Sequence, residues 1–183
     1  MAIVAADILY KTSLQSAQGD SLPQATPGLS IGGTVSTTPI TDAALNNLFP
    51  DITGDENAAS NVDYQCFFIQ NNHATLSLTS AVVYMSAEVA GGANCAIATD
   101  NLAPSPKGQL SGAGPQAINI ANKNTAPVGV SAFSSPVTKA AGLAIGAIAP
   151  GFVKAIWVRR TATNSVALNN DGLTVTVAGD TAA

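Results

Sequence analysis

The sequence predicts an all-β chain: a β-sandwich or jelly-roll-like domain with one short helix and a long N-terminal arm or loop. Three observations carry that expectation. The run Phe152-Val153-Lys154-Ala155-Ile156-Trp157-Val158-Arg159-Arg160 has apolar side chains on both alternating faces, which suits a strand in the middle of a packed structure. Short apolar runs recur between turns rich in Gly, Pro and Asn, the punctuation of an antiparallel sandwich. A length of 183 residues fits one domain, 1–183, with a substantial core.

Taken in order, residues 1–12 hold Ile3-Val4 and Ile8-Leu9-Tyr10, a first strand. Residues 13–38 are rich in Ser, Gln, Gly, Pro and Thr, with Leu22, Leu29, Ile31 and Val35 as scattered apolar anchors. That stretch is far longer than the usual connection of about five residues, so it reads either as a mobile insertion or as an extended arm that orders against a neighbouring subunit. The core then occupies 39–183. Thr41 to Phe49 predicts the helix: Thr41 caps it, Asp42 suits its positive end, Leu45, Leu48 and Phe49 share a face, and Pro50 stops it. A polar loop is expected over 51–63.

Successive strands follow. Tyr64 to Gln70 is a buried strand ending in the turn Asn71-Asn72-His73; Thr75 to Leu78 and Ala81 to Met85 form the next, bent at Ser80. Asn94 to Thr99 makes a short strand, residues 100–115 a loop, and Ala117-Ile118-Asn119-Ile120, Val128 to Val130 with Phe133, and Leu143-Ala144-Ile145 are further candidates. Pro150-Gly151 sets a tight turn into the Trp157 strand. Asn169-Asn170-Asp171-Gly172 then turns the chain into Leu173-Thr174-Val175-Thr176-Val177, read as a hairpin partner of that strand.

Charged residues make up 10% of the chain, against roughly 25% in an ordinary soluble domain. With the apolar fraction at 46%, the missing charge has been replaced by Ser, Thr, Asn, Gly and Ala, a surface suited to being covered by copies of itself or by partners. A net charge of −4 with seven Lys and Arg argues against nucleic acid. The longest apolar run, Ala140 to Val153, is broken by Gly and Pro and does not read as a membrane span. Asp7 interrupts the apolar start and no basic segment precedes it, which is unlike a signal peptide; Cys66 and Cys95 are therefore expected as buried thiols made in a reducing compartment.

Chemistry is harder to find. His73 is the only histidine, and its place after Asn71-Asn72 suits a turn residue better than a catalytic base. Three Cys and His residues in total cannot close a zinc site. Asp51, Asp55 and Glu56 offer oxygen ligands but lack the spacing of a calcium loop, so the segment reads as a solvated loop with a weak calcium site as the alternative. No catalytic, metal or cofactor residue is expected. Arg159-Arg160 is the adjacent basic pair: one Arg pairs an acidic side chain while the other reaches solvent, or the two serve an inter-subunit salt bridge.

Four blocks, Thr41 to Glu56 (TDAALNNLFPDITGDE), Tyr64 to Leu76 (YQCFFIQNNHATL), Ala149 to Arg160 (APGFVKAIWVRR) and Asn169 to Asp180 (NNDGLTVTVAGD), resemble structural proteins of tailed bacteriophages. The resemblance implies a virion component made in the host bacterial cytoplasm, with no catalytic residues to carry over. On that footing the expected role is a capsid decoration or cement protein, a homo-oligomer (a trimer fits three-fold positions on a shell) that binds the major capsid protein. The alternative is a neck, tail or baseplate subunit working as a ring; a glycan-binding module is disfavoured by an aromatic content of 5%. Leu22, Leu29 and Ile31 of the arm, with Arg159 and Arg160, are the expected contact residues.

Overall fold

The computed structural model describes residues 2–15, 17–26 and 28–181. Its strands are β1 (Ile8–Leu14), β2 (Thr34–Pro39), β3 (Val62–Asn71), β4 (Leu78–Glu88), β5 (Asn94–Thr99), β6 (Ser105–Pro106), β7 (Leu143–Ile148), β8 (Phe152–Thr161) and β9 (Leu173–Thr181). They form two sheets. The larger runs β2-β1-β3-β8-β5, with the two residues of β6 also on β8; the smaller runs β7-β4-β9. Every pairing is antiparallel. The all-β sandwich class expected from the sequence is what the chain adopts.

β8 is central, as its two apolar faces require. β3 flanks it in an unbroken register from Val62 opposite Thr161 to Gln70 opposite Val153, and β5 flanks it on the other side. Its even-numbered residues Ile156 and Val158, with Phe67 and Ile69 of β3, meet Leu78, Val83 and Met85 of β4 and Ile145 and Ile148 of β7 between the sheets. Its odd-numbered residues Val153, Ala155 and Trp157, with Cys66 and Phe68, face the other way. Among the described residues no third sheet covers that back face. Two non-strand segments do, bringing Ile31 from one and Ala117 and Ile120 from the other. They cross so closely that a Cβ at Gly32, whose φ is +95°, would collide with the carbonyl of Ile118.

Three sequence expectations are corrected. Residues 41–49 are not a helix: Ala43 and Asn46 have φ of 56° and 55°, in the left-handed region that ends a helical path. The helix, α1 (Gly54–Ala58), lies instead in the stretch expected as a polar loop. The reason is a reciprocal cap: Thr53 Oγ1 accepts from the Glu56 N–H at 3.2 Å, and Glu56 Oε2 accepts from the Thr53 N–H at 2.9 Å. Thr41 has Ala44 where that box needs an acid.

The hairpin between β8 and β9 does not form either. Both edges of β8 are already paired, and β9 crosses to the smaller sheet and pairs β4. There Leu173, Val175 and Val177 pack against the inter-sheet core.

The arm is the third correction. Residues 13–38 include the end of β1 and most of β2, and the described residues between them fold back onto their own sheet. Ser16 and Pro27 of this stretch lie outside the described residues. Hydroxyl groups pin the return: Ser30 Oγ accepts from the Ser13 N–H at 2.6 Å and donates to the Cys66 carbonyl, and Gly32 N–H donates to Ser13 Oγ at 2.9 Å. A buried hydroxyl satisfied this way costs little, which lets a polar sequence serve as the lid of a core. Ser80, with φ of 50°, marks the expected bend in β4; both cysteines are free, Cys66 buried as expected and Cys95 only half-buried.

Candidate functional site

The folded-back stretch borders two shallow depressions. A shallow depression of about 490 Å³ lies between Thr26, Leu29 and Ile31 on one side and Asn122, Lys123 and Asn124 on the other. A second, of about 180 Å³, is bordered by Gln24, Thr26, Asn46, Asn47 and Leu48. Thr26 is the ridge they share. Gln24 holds this ridge in place, its amide donating to the carbonyls of Ser13 and Leu29. The lining is uncharged apart from Lys123, whose ammonium is already paired with Glu56 at 2.6 Å and Asp63 at 3.6 Å.

Of the three arm residues expected at a contact, Leu22 and Leu29 are 55% and 51% exposed, whereas Ile31 is 5% exposed and belongs to the core of the back face. Ile31 is therefore corrected from a contact residue to a core residue. Leu45, 70% exposed on the adjacent 41–49 segment, joins the two exposed leucines as apolar surface that the sequence reading had assigned to a buried helix face.

The Arg pair separates by register. Asp63 stands opposite Arg160, and the two meet at 2.8 Å; Arg160 also donates to the Pro50 carbonyl and lies 4.5 Å from the Phe49 ring. Tyr64 stands opposite Arg159, which instead lies 5.4 Å from the Phe133 ring. Arg160 is thus engaged inside the molecule, in a network with Asp63, Lys123 and Glu56. The Glu56 carboxyl is held down at about 2, first by its Lys123 hydrogen bond and then by the Thr53 N–H.

A buried polar centre escaped the sequence reading. Asp100, 1% exposed, accepts from Ile118 N–H at 2.8 Å and from the Trp157 indole at 3.1 Å through one oxygen, and from Leu102 N–H at 2.9 Å through the other. Lys154 is 7% exposed and donates to the main-chain carbonyls of Asp100 and Leu102. Burial pulls the Lys154 ammonium below its ordinary range, with the Asp100 charge opposing. A core tryptophan needs an acceptor for its N–H, and that was the available signal. The centre fastens loops 100–104 and 116–120 to β8, a structural task.

His73 Nδ1 accepts from the N–H groups of Thr75 and Leu76, so its ring serves the turn. Burial pushes the Cys66 thiol well up and the Cys95 thiol to about 12, the latter with help from Glu88 and Asp171. Among the described residues, no three His, Cys, Asp or Glu side chains gather as a metal cluster, and no helix is long and apolar enough to cross a membrane. Asp51, Asp55 and Glu56 do not converge: Glu56 is spent on the cap of α1 and on Lys123.

Comparisons with protein-family models, with curated proteins and with solved structures returned no match. What fold and surface define is a class: an antiparallel β-sandwich with a shallow, largely uncharged depression bordered by exposed Leu29. Shallow uncharged relief of that kind suits contact with another protein surface better than capture of a small molecule.

Proposed function

We propose that this chain is a structural protein of a tailed-phage virion, a capsid decoration or cement protein that binds the outer shell and joins neighbouring subunits. The observation that carries the reading is the pair of shallow depressions that share the Thr26 ridge, bordered by exposed Leu29 and with Lys123 as the one charged side chain of their lining; Leu22 and Leu45 add exposed apolar side chains on the same folded-back stretch and on the 41–49 segment. Such a surface loses little hydration when covered, and its frame is already ordered, so little conformational entropy is lost on docking. The polypeptide works by contact and not by catalysis in this reading. Its basic side chains support it: Lys11, Lys107, Lys123 and Arg160 sit in ion pairs within the chain, and Lys154 rests on buried carbonyls, leaving no stripe for a phosphate backbone.

A ring subunit of the neck, tail or baseplate is the second reading, favoured by one feature. β7, Leu-Ala-Ile-Gly-Ala-Ile, is an edge of the smaller sheet and carries no charge to discourage pairing with another strand. Immunogold labelling of intact virions tests both. Gold spread over the head supports decoration, gold at one vertex or on the tail supports the ring, and unlabelled particles, intact or opened, overturn the virion reading.

A further inference from the structure

The register that gives Arg160 a carboxylate leaves Arg159 without one. Among the described residues no acidic side chain pairs with Arg159, its Nε is buried with no acceptor, and its guanidinium packs near the Phe133 ring, which in turn lies 5.6 Å from Tyr64. An arginine held on an aromatic ring keeps its planar fork of donors oriented and pre-organised to receive a carboxylate.

The same end of the sandwich, where β3 begins and β8 finishes, presents what such a cation lacks. α1 sits there with Asp55 exposed, and no hydrogen bond or ion pair engages that carboxylate among the described residues. Asn57 of α1 donates to the Ser165 carbonyl at 2.7 Å, which joins the helix to the connection 162–172. That connection carries Val166 at 90% exposure and Leu168 at 40%. Val89 of the turn after β4 is tied to it through its N–H on the Gly172 carbonyl at 2.9 Å. Chain order thus sets an unpaired cation two residues before β8 finishes, an unpaired anion on the helix that precedes β3, and exposed apolar side chains on the connection that leaves β8. A surface carrying both charges can meet a copy of itself across a two-fold axis, each copy supplying what the other receives. The charge balance points the same way: a chain of net charge −4 repels copies of itself elsewhere, and its other cations except Lys139 are engaged internally.

We infer that this end of the sandwich is a two-fold contact between copies of the chain, with Val166 and Leu168 at its centre and Arg159 of each copy paired with Asp55 of the other.

Analytical ultracentrifugation of the full chain across the micromolar range tests it, with circular dichroism to verify that each variant folds. The expected wild-type mass is that of two chains. V166D is expected to give the mass of one chain, and R159E to weaken association by about tenfold or more. Combining R159E with D55R restores the dimer, because the pair is rebuilt with its charges exchanged. Folded R159E and V166D that remain dimeric would overturn the surface, a double variant that stays monomeric would overturn the pairing, and a monomeric wild type would overturn the inference. A wild type that is monomeric yet still labels phage heads would do so while leaving the virion reading intact.

Discussion

Replacing Asp100 should separate the worth of its charge from the worth of its hydrogen bonds. In D100A three donors lose their acceptor: Ile118 N–H, the Trp157 indole and Leu102 N–H. Leu102 is 37% exposed and Ile118 is half-buried, so their N–H groups can regain water; Trp157 is fully buried and its indole N–H is sealed. The stranded indole costs about 1–3 kcal/mol and each of the two rehydrated N–H groups about 0.5–1.5 kcal/mol, about 2–6 kcal/mol of lost stability in all, a large share of the roughly 5–15 kcal/mol that holds a domain of this kind together. D100N should be milder. Its single carbonyl oxygen can serve the Ile118 and Trp157 donors together, leaving a donor facing donor only at Leu102, for about 1–3 kcal/mol. Urea unfolding followed by tryptophan fluorescence reads both values, since Trp157 is the only tryptophan and sits at the site. D100A within about 1 kcal/mol of wild type, or D100N as damaging as D100A, would refute the reasoning.

The packed arm and the helix cap give two further expectations. I31A should cost about 2–4 kcal/mol as a core truncation, while L29A, two residues away on the exposed side, should stay within about 0.5 kcal/mol; equal urea midpoints for the two would mean that the stretch does not pack as described. Glu56 provides a pH signature. Its folded pKa, about 2, lies below the ordinary 4.5, so its contribution is fully present above about pH 4.5 and is lost as pH falls through about 2. The stability gap between wild type and E56Q should therefore shrink across that window and be flat above it; a gap unchanged down to pH 2 would refute the pairing with Lys123.

The parts legible in the sequence were those where one strand's own pattern decides the outcome. Two apolar faces made β8 central, and the apolar run of β3 placed it beside the core in the same way. Pairing was less legible. Leu-Thr-Val-Thr-Val suits any half-buried sheet, so nothing in β9 says that its partner is β4 rather than the strand just before it. Spacing, a single-sided cap at Thr41 and the stop at Pro50 favoured a helix at 41–49, and it lost to a reciprocal cap: Thr53 with Glu56 ties both ends of a first turn, whereas Thr41 has no such partner. The arm misled for a subtler reason. A segment rich in Ser and Gln looks unable to bury itself, yet Ser13, Ser30 and Gln24 spend their polar groups on one another and on backbone carbonyls, so Ile31 and Val35 suffice to seat it. As for the candidate site, Leu22 and Leu29 are exposed, as a contact role requires, and the split between Arg159 and Arg160 was left open, because a shift of one residue in register decides which receives Asp63.

The pairing order also bears on how the chain is made. β3 and β4 are made well before the strand that completes the larger sheet, β8, and the one that completes the smaller, β9. Until those arrive, Phe67, Phe68 and Ile69 have no β8 to pair with, and β3 cannot bury both of its faces. The nascent chain must keep those residues from aggregating until residues 152–181 have been made, then close both sheets nearly together, with the slow folding that long-range strand pairing imposes. Production of the protein should accordingly be limited by chaperone supply during translation more than by the stability of the finished sandwich.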